Sequence, residues 1–326
     1  MRRRDFITLV SGLAASWSFR ARAQPEVPVI GFLHSASAEP TANLIKGFRK
    51  GLFDAGFIEG ENVRIDFRWA DGQNDRLPEL AADLVRRNVN VIATPGSTPA
   101  ALAAKAATST IPIVFAGAVD PVAIGLVNSI NHPGGNATGI DFETIEMQGK
   151  AIELLHQLVP NAAHVAALVN PTYVSRQALV KNMQAGAAAL GLQLEVLSAT
   201  TDSEIENAFR IAAQRPGTPL LVGPDPFFTS RRSKIASFEA QYAVPTMYDV
   251  REFAEAGGLI SYGPNLANIY REAGTYSGRI LKGEKAGEMP VVLSTKFEMV
   301  INAKTAKSLG IALPDRLLTL ADEVIE

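Results

Sequence analysis

Residues 92–105 read "IATPGSTPAALAAK", and within five residues the chain changes from one kind of structure to another. Val89-Asn90-Val91-Ile92-Ala93 is short, apolar and β-branched, the pattern of a buried strand. Ala100-Ala101-Leu102-Ala103-Ala104-Lys105 is built from strong helix formers. Between them Ser97 or Thr98 is placed to cap the helix, and Pro99 falls in the first turn, where a missing N–H costs nothing. Gly96 lets the backbone come close to whatever lies beyond the strand. Such a junction aims N–H groups and small hydroxyls past the strand's carboxyl end, which in open parallel sheets is where ligands sit.

The same alternation runs outward in both directions. Strands are expected at 27–33, 63–69, 89–93 and 111–115, with helices at 41–55, 77–87 and 100–107. "HPGGNATG" (132–139) interrupts the rhythm, which then restarts. Helices are expected at 148–158, 175–190, 203–214 and 230–242, alternating with strands at 165–169, 193–197, 219–222, 244–247 and 258–261. Repeated alternation of this kind predicts an α/β protein with two doubly wound parallel sheets, each covered by helices on both faces. At 326 residues two lobes are expected. The chain is expected to cross between them near 139–144, 259–263 and 290–294, a three-segment hinge. That gives an N-terminal lobe of 24–140 plus 263–290 and a C-terminal lobe of 141–262 plus 291–326.

Residues 1–23, "MRRRDFITLVSGLAASWSFRARA", read as an export signal: a basic start, an apolar middle and a small-x-small site at Ala21-Arg22-Ala23. Arg3-Arg4-Asp5-Phe6-Ile7 is similar to the twin-arginine address. Its removal takes away five arginines and one aspartate and leaves a mildly acidic chain, which argues against a nucleic-acid partner. The absence of cysteine excludes disulfides, thiolate metal sites, a cysteine nucleophile and a lipid anchor through an N-terminal Cys.

Catalytic signals are sparse. The four histidines (34, 132, 156, 164) form no metal spacing, and no G-x-S-x-G or G-x-G-x-x-G motif occurs after a strand. Gly134–Gly139 has the skeleton of a phosphate loop, but Ile140 stands where its lysine would be. No catalytic residue, metal ligand or cofactor site is therefore expected. The loops that follow strands offer binding groups instead: His34 and Ser35, Ser97 and Thr98, and Asp120 from the first half; Asn170, Asp225, Phe227 or Phe228, and Tyr262 from the second. Helix starts suit a carboxylate, an aspartate suits an ammonium, and aromatic walls cover an apolar group, so a zwitterion with an apolar side group fits this division. Each residue also has a purely structural reading. Ser97, Thr98 and Asp225 can be helix caps, Asp120-Pro121 a turn, and Tyr262 part of a crossing.

"VPVIGFLHS", "PIVFAGAVDPVAIGLV", "PGGNATGI", "PDPFF", "EFAEAGGLISYG" and the tail "KFEMVINAKTAKSLGIALP" occur in an order that resembles the periplasmic solute-binding proteins of ABC importers. The family includes tryptophan- and phenylalanine-binding members. The resemblance spans residues 27–326 and implies a type I periplasmic-binding fold with ligand in the cleft. It implies cleft positions at Ser35, Ser97, Thr98, Asp120, Asp225 and Tyr262. It further implies a small amino-acid-like or organic-acid solute, a permease partner in the inner membrane, and a monomer. The anchoring Cys of lipoprotein members is absent, so a freely soluble periplasmic protein is expected. Aromatic-amino-acid binders share an Asp-Asn pair in the second lobe where this chain has Asp225-Pro226, which leaves the solute's identity open. A periplasmic sensor component and a small-molecule enzyme on the same fold are the alternative readings.

Overall fold

In the computed structural model, which describes residues 27–142, 144–294 and 296–326, apolar strands and amphipathic helices alternate as their sequence periods require. The expected export segment lies outside the described residues. The first sheet contains β1 (Val29–His34), β2 (Arg64–Trp69), β3 (Val91–Pro95), β4 (Ile113–Gly117) and β5 (Ala137–Asp141). A two-residue strand completes it, and the order across the sheet is Val292–Leu293, β5, β4, β3, β1, β2, all parallel. Its central strands β3, β4 and β5 are buried throughout, and β3 and β4 read as apolar runs for that reason, whereas β5, Ala-Thr-Gly-Ile-Asp, does not and falls where the sequence rhythm is interrupted.

Both faces of this sheet are covered. On one, Ile30, Phe32, Val91 and Val114 pack with Phe48 and Leu52 of α1 (Ala38–Asp54). On the other, Leu33, Ile92 and Ile113 meet Leu84 of α2 (Leu77–Arg86) and Ala100 and Ala104 of α3 (Thr98–Ala107).

The second sheet is built from β6 (His164–Val169), β7 (Gln193–Ser198), β8 (Leu220–Val222), β9 (Thr246–Tyr248) and β10 (Ile260–Pro264). Its helices are α4 (Gln148–Leu158), α5 (Arg176–Ala189), α6 (Asp202–Ala213), the single turn α7 (Pro226–Thr229), α8 (Arg232–Tyr242) and α9 (Arg251–Glu255). From β10 the chain returns to the first sheet through α10 (Leu266–Leu281), which packs against α1, and reaches β11 (Val292–Leu293). It then re-enters the second sheet as β12 (Phe297–Asn302), followed by α11 (Ala303–Ser308), α12 (Asp315–Leu320) and β13 (Glu323–Ile325).

One pairing departs from the all-parallel expectation: β12 runs antiparallel to β10. Strand β10 leaves the sheet at the inter-lobe end, and β12 enters at that same end, so it must run back along its neighbour. The crossings are also displaced from the sequence expectation. Gly263 and Pro264 pair with Glu298 and Phe297 in the second sheet, while Val292 and Leu293 pair with Ile140 and Asp141 in the first. The segments between sheets are therefore 142–147, Asn265 and 294–296. Asn265 caps α10 by accepting the Asn268 N–H and donates its side-chain amide to Glu298.

The contact of α1 with α10 is unusually close. A Cβ on Gly274 would overlap the carbonyl oxygen of Phe48, and one on Gly51 would overlap that of Arg271. Two helices meet backbone to backbone there, and this seam fixes the first lobe's side of the cleft.

Candidate functional site

The carboxyl ends of both sheets face a cleft with about 910 Å³ of empty space, open to solvent. Loops after β1, β3, β4 and β5 bring His34, Gly96, Thr98, Pro99, Ala118 and Phe142 to one wall, joined by Leu44 of α1 and by Leu266 and Tyr270 of α10. Loops after β6, β8 and β9 form the other wall with Tyr173, Asp225 and Asp249, and Arg232 and Glu252 follow on adjoining helices. The lobes meet across this space. Tyr173 Oη lies 3.5 Å from the Ala118 carbonyl oxygen.

The Thr-Pro-Gly-Ser-Thr-Pro loop divides its work between residues. Ser97 is the N-cap of α3: its Oγ accepts the Ala100 N–H and the Ser35 N–H, and it donates to Ser35 Oγ at 2.9 Å. It is fully buried and does not reach the cavity wall. Thr98, the first helical residue, does. Gly96 has φ +74°, and a Cβ there would stand 2.7 Å from Tyr270 Oη. Glycine is required both by the backbone angle and by the tyrosine lying against it.

That tyrosine carries a usable proton. Burial lowers the His34 pKa to about 3, so the imidazole is neutral. Its Nδ1 accepts the Ala36 N–H at 2.9 Å, which leaves the ring proton on Nε2. Nε2 lies 3.0 Å from Tyr270 Oη and donates to it. The tyrosine's own O–H is then left to point elsewhere, and the cavity is beside it. Thr98 and Tyr270 thus present two hydroxyls on the first-lobe wall.

The second wall is acidic. Asp225 caps α7, accepting the Phe227 N–H at 2.8 Å. Burial pushes its carboxyl up to about 6, against the opposing pull of that N–H, the Asn170 side chain and Arg231. Arg231 is itself paired with Asp202 at 2.6 Å and lies 3.8 Å from the centre of the Phe227 ring. Burial also raises Asp249 and Glu252 to about 7 each, and neighbouring acids add to the effect. Asp249 Oδ1 and Glu252 Oε2 are buried without a hydrogen-bond partner. An unpaired buried carboxylate oxygen is costly, and both residues line the cavity.

Of the six residues expected from sequence, Thr98 and Asp225 lie on the cavity wall. Ser35 borders the outer part of the cleft together with Asn74, Thr172 and Asp225. Ser97 stands behind the wall as a cap. Asp120 is exposed and turns its carboxylate onto the Val122 and Ala123 N–H groups, a local turn away from the cavity. Tyr262 sits within β10, with its ring 6.3 Å from that of Phe297, and does not line the cleft. Tyr270, Phe142, Asp249, Glu252 and Arg232 were not anticipated. Asp249 directly follows β9, so the strand-end rule would have reached it. Tyr270 has no such signal. Among the described residues no group of three or more His, Asp or Glu is arranged to hold a metal ion.

A family described as ABC transporter substrate binding protein matches residues 26–325. The chain belongs to that family. This substrate-binding protein is 29% identical over 265 residues to a tyrosine-binding protein of Clostridioides difficile (strain R20291), covering 81% of this chain and 75% of the relative. Among solved structures it is similar to an ABC domain in complex with L-Trp from Streptococcus pneumonia, with TM-score 0.82, 27% identity, and coverage of 91% of this chain and 99% of the other. It is also similar to a ligand-free, open substrate binding protein with adhesive properties from Clostridium difficile. There the TM-score is 0.66 at 26% identity, covering 92% and 99% of the two chains. The lower score against an open structure, at nearly equal identity and coverage, agrees with lobes that here meet through Tyr173 and Ala118.

Proposed function

We propose that this substrate-binding protein captures a small amino-acid-like solute for an ABC importer, as a soluble periplasmic monomer released from its export segment. The observation that carries the reading is the opposition of charge types across the cleft. Asp225, Asp249 and Glu252 offer carboxylate oxygens from one lobe, two of them unpartnered, while Thr98 and Tyr270 offer hydroxyl donors from the other. An ammonium on the first side and a carboxylate on the second describe an α-amino acid, and Leu44, Phe142 and Leu266 supply apolar cover for its side chain. The relatives' names, one for tyrosine and one structure with L-Trp bound, support the same ligand class. We read the cleft as one that binds and releases its solute, in keeping with a family described as substrate binding. The two lobes close about the crossings at 142–147, Asn265 and 294–296, and a permease in the inner membrane takes up the solute from the closed form.

Melting curves with each L-amino acid test the reading, since a ligand at a hundred times its Kd adds about 2.7 kcal/mol. Asp225→Asn should weaken an amino acid about ten- to a hundredfold, the cost of one charge-assisted hydrogen bond of about 1.5–3 kcal/mol. It should leave the deaminated analogue little changed. Equal losses for both ligands, or no stabilisation by any amino acid, would refute the proposal.

A further inference from the structure

The acidic wall offers more carboxyl acceptors than one ammonium can fill. Asp225 already has partners in the Phe227 N–H and the Asn170 side chain, with Arg231 nearby. Asp249 is in a different position. It lines the cavity and is 8% exposed, and its Oδ1 is buried with no hydrogen-bond partner. The charges that act most strongly on it, Glu252 and Asp225, are both negative. Glu252, also short of a partner at Oε2, has only Arg232 to offset it. Across the cleft His34 is neutral. Three carboxyls therefore share the wall with one arginine.

A zwitterion with a neutral side chain brings one cation and one anion and leaves this imbalance unchanged. A metal ion is not the answer either, because these carboxyls are not arranged as a metal donor set. An organic cation is. It can deliver N–H donors to Asp249 Oδ1 and Glu252 Oε2, while Val250 and Leu266 cover the methylene stem that carries it.

We infer that Asp249 is a specificity-determining residue and that the solute carries two cationic groups, an α-ammonium held by Asp225 and a side-chain ammonium or guanidinium held by Asp249 with Glu252. The inference rests on the amino-acid reading above and narrows it to dibasic amino acids. Competing with it is a cleft that keeps Asp249 protonated around a neutral side chain.

Titration calorimetry with L-lysine, L-ornithine, L-arginine, L-norleucine and L-tyrosine separates the two. Norleucine matches the lysine chain but lacks the terminal amine. The best dibasic ligand is expected to bind at least about tenfold more tightly than norleucine or tyrosine. Asp249→Asn should cost that ligand about ten- to a hundredfold and norleucine little. The variant removes a buried unpartnered charge, so its melting point should hold or rise. Glu252→Gln should shift the same preference in the same direction. Tyrosine or norleucine binding as tightly as every dibasic ligand would overturn the inference and leave the amino-acid reading standing. Binding of none of the five would overturn both.

Discussion

Replacing Gly51 with alanine sets two known effects against each other, and the structure decides the sign. In a helix interior, alanine is favoured over glycine by about 1 kcal/mol. At Gly51 the new Cβ would overlap the Arg271 carbonyl oxygen and come within 2.8 Å of the Thr275 nitrogen. These are backbone atoms of α10 and cannot rotate away, so the helices must separate. Overpacking of this kind costs about 1–3 kcal/mol or more. Separation also loosens Phe48, Leu52, Ile269 and Tyr270, each at most 1% exposed along the seam. With overlap onto fixed backbone the cost lies at the upper end, the propensity gain is outweighed, and a net loss of about 1–2 kcal/mol is expected. At about 2–4 °C per kcal/mol for a domain of 150–250 residues, the melting point should fall by roughly 2–8 °C.

Gly149→Ala in α4 supplies the contrast. Its Cβ would meet only Asn182 Oδ1 at 3.7 Å and the Gly186 Cα at 3.8 Å, which are ordinary contacts. That variant should be neutral or gain up to about 1 kcal/mol. Scanning calorimetry on both, beside the parent, reads the difference. A Gly51→Ala protein that melts at or above the parent would refute the claim that this seam is closed by backbone contact. Because α1 carries Leu44 and α10 carries Leu266 and Tyr270 to the cleft, the same variant should also bind its solute less tightly.

Three further outcomes are expected. Ser97→Ala should lower stability by about 0.5–2 kcal/mol through the lost cap, whereas Thr98→Ala should weaken solute binding about tenfold or more at nearly unchanged melting; calorimetry showing the reverse would exchange their roles. Asp225, Asp249 and Glu252 have folded pKa values raised to about 6, 7 and 7, so the folded state keeps protons that the unfolded chain has lost. Their stabilising contribution is complete below about pH 4 and lost as pH rises through about 7. The ligand-free melting point should therefore fall between pH 5 and 8, and a rising profile would contradict the assignment; Asp83, held at about 2 by Arg68 and Arg87, acts only below that window. Small-angle scattering should show a smaller radius of gyration with a saturating amino acid than without it, and identical curves would exclude closure about the three crossings.

What could be read from the sequence follows from how local each cause is. Strands β3 and β4 announce themselves because a strand buried on both faces must be apolar at every position. Thr98 and Asp225 are reachable because the carboxyl ends of parallel strands face the cleft, and that rule needs only the strand. The antiparallel β12 is not reachable, since its direction depends on where the chain re-enters the second sheet. Asp249 is within reach of the same rule as Asp225, because it directly follows β9, where a strand is expected, but the loop after that strand is not among the expected binding loops. Tyr270 is the deepest case. Leu266, Ile269, Tyr270 and Ala273 form an ordinary buried helix face, and spacing assigns the tyrosine to the core. Its hydroxyl gains a role from His34, 236 residues earlier in the chain, whose own tautomer is set by the Ala36 N–H. A core side chain becomes a cleft donor through a partner that no local pattern contains, so periodicity finds where such a residue is buried and only the fold tells what its polar end faces.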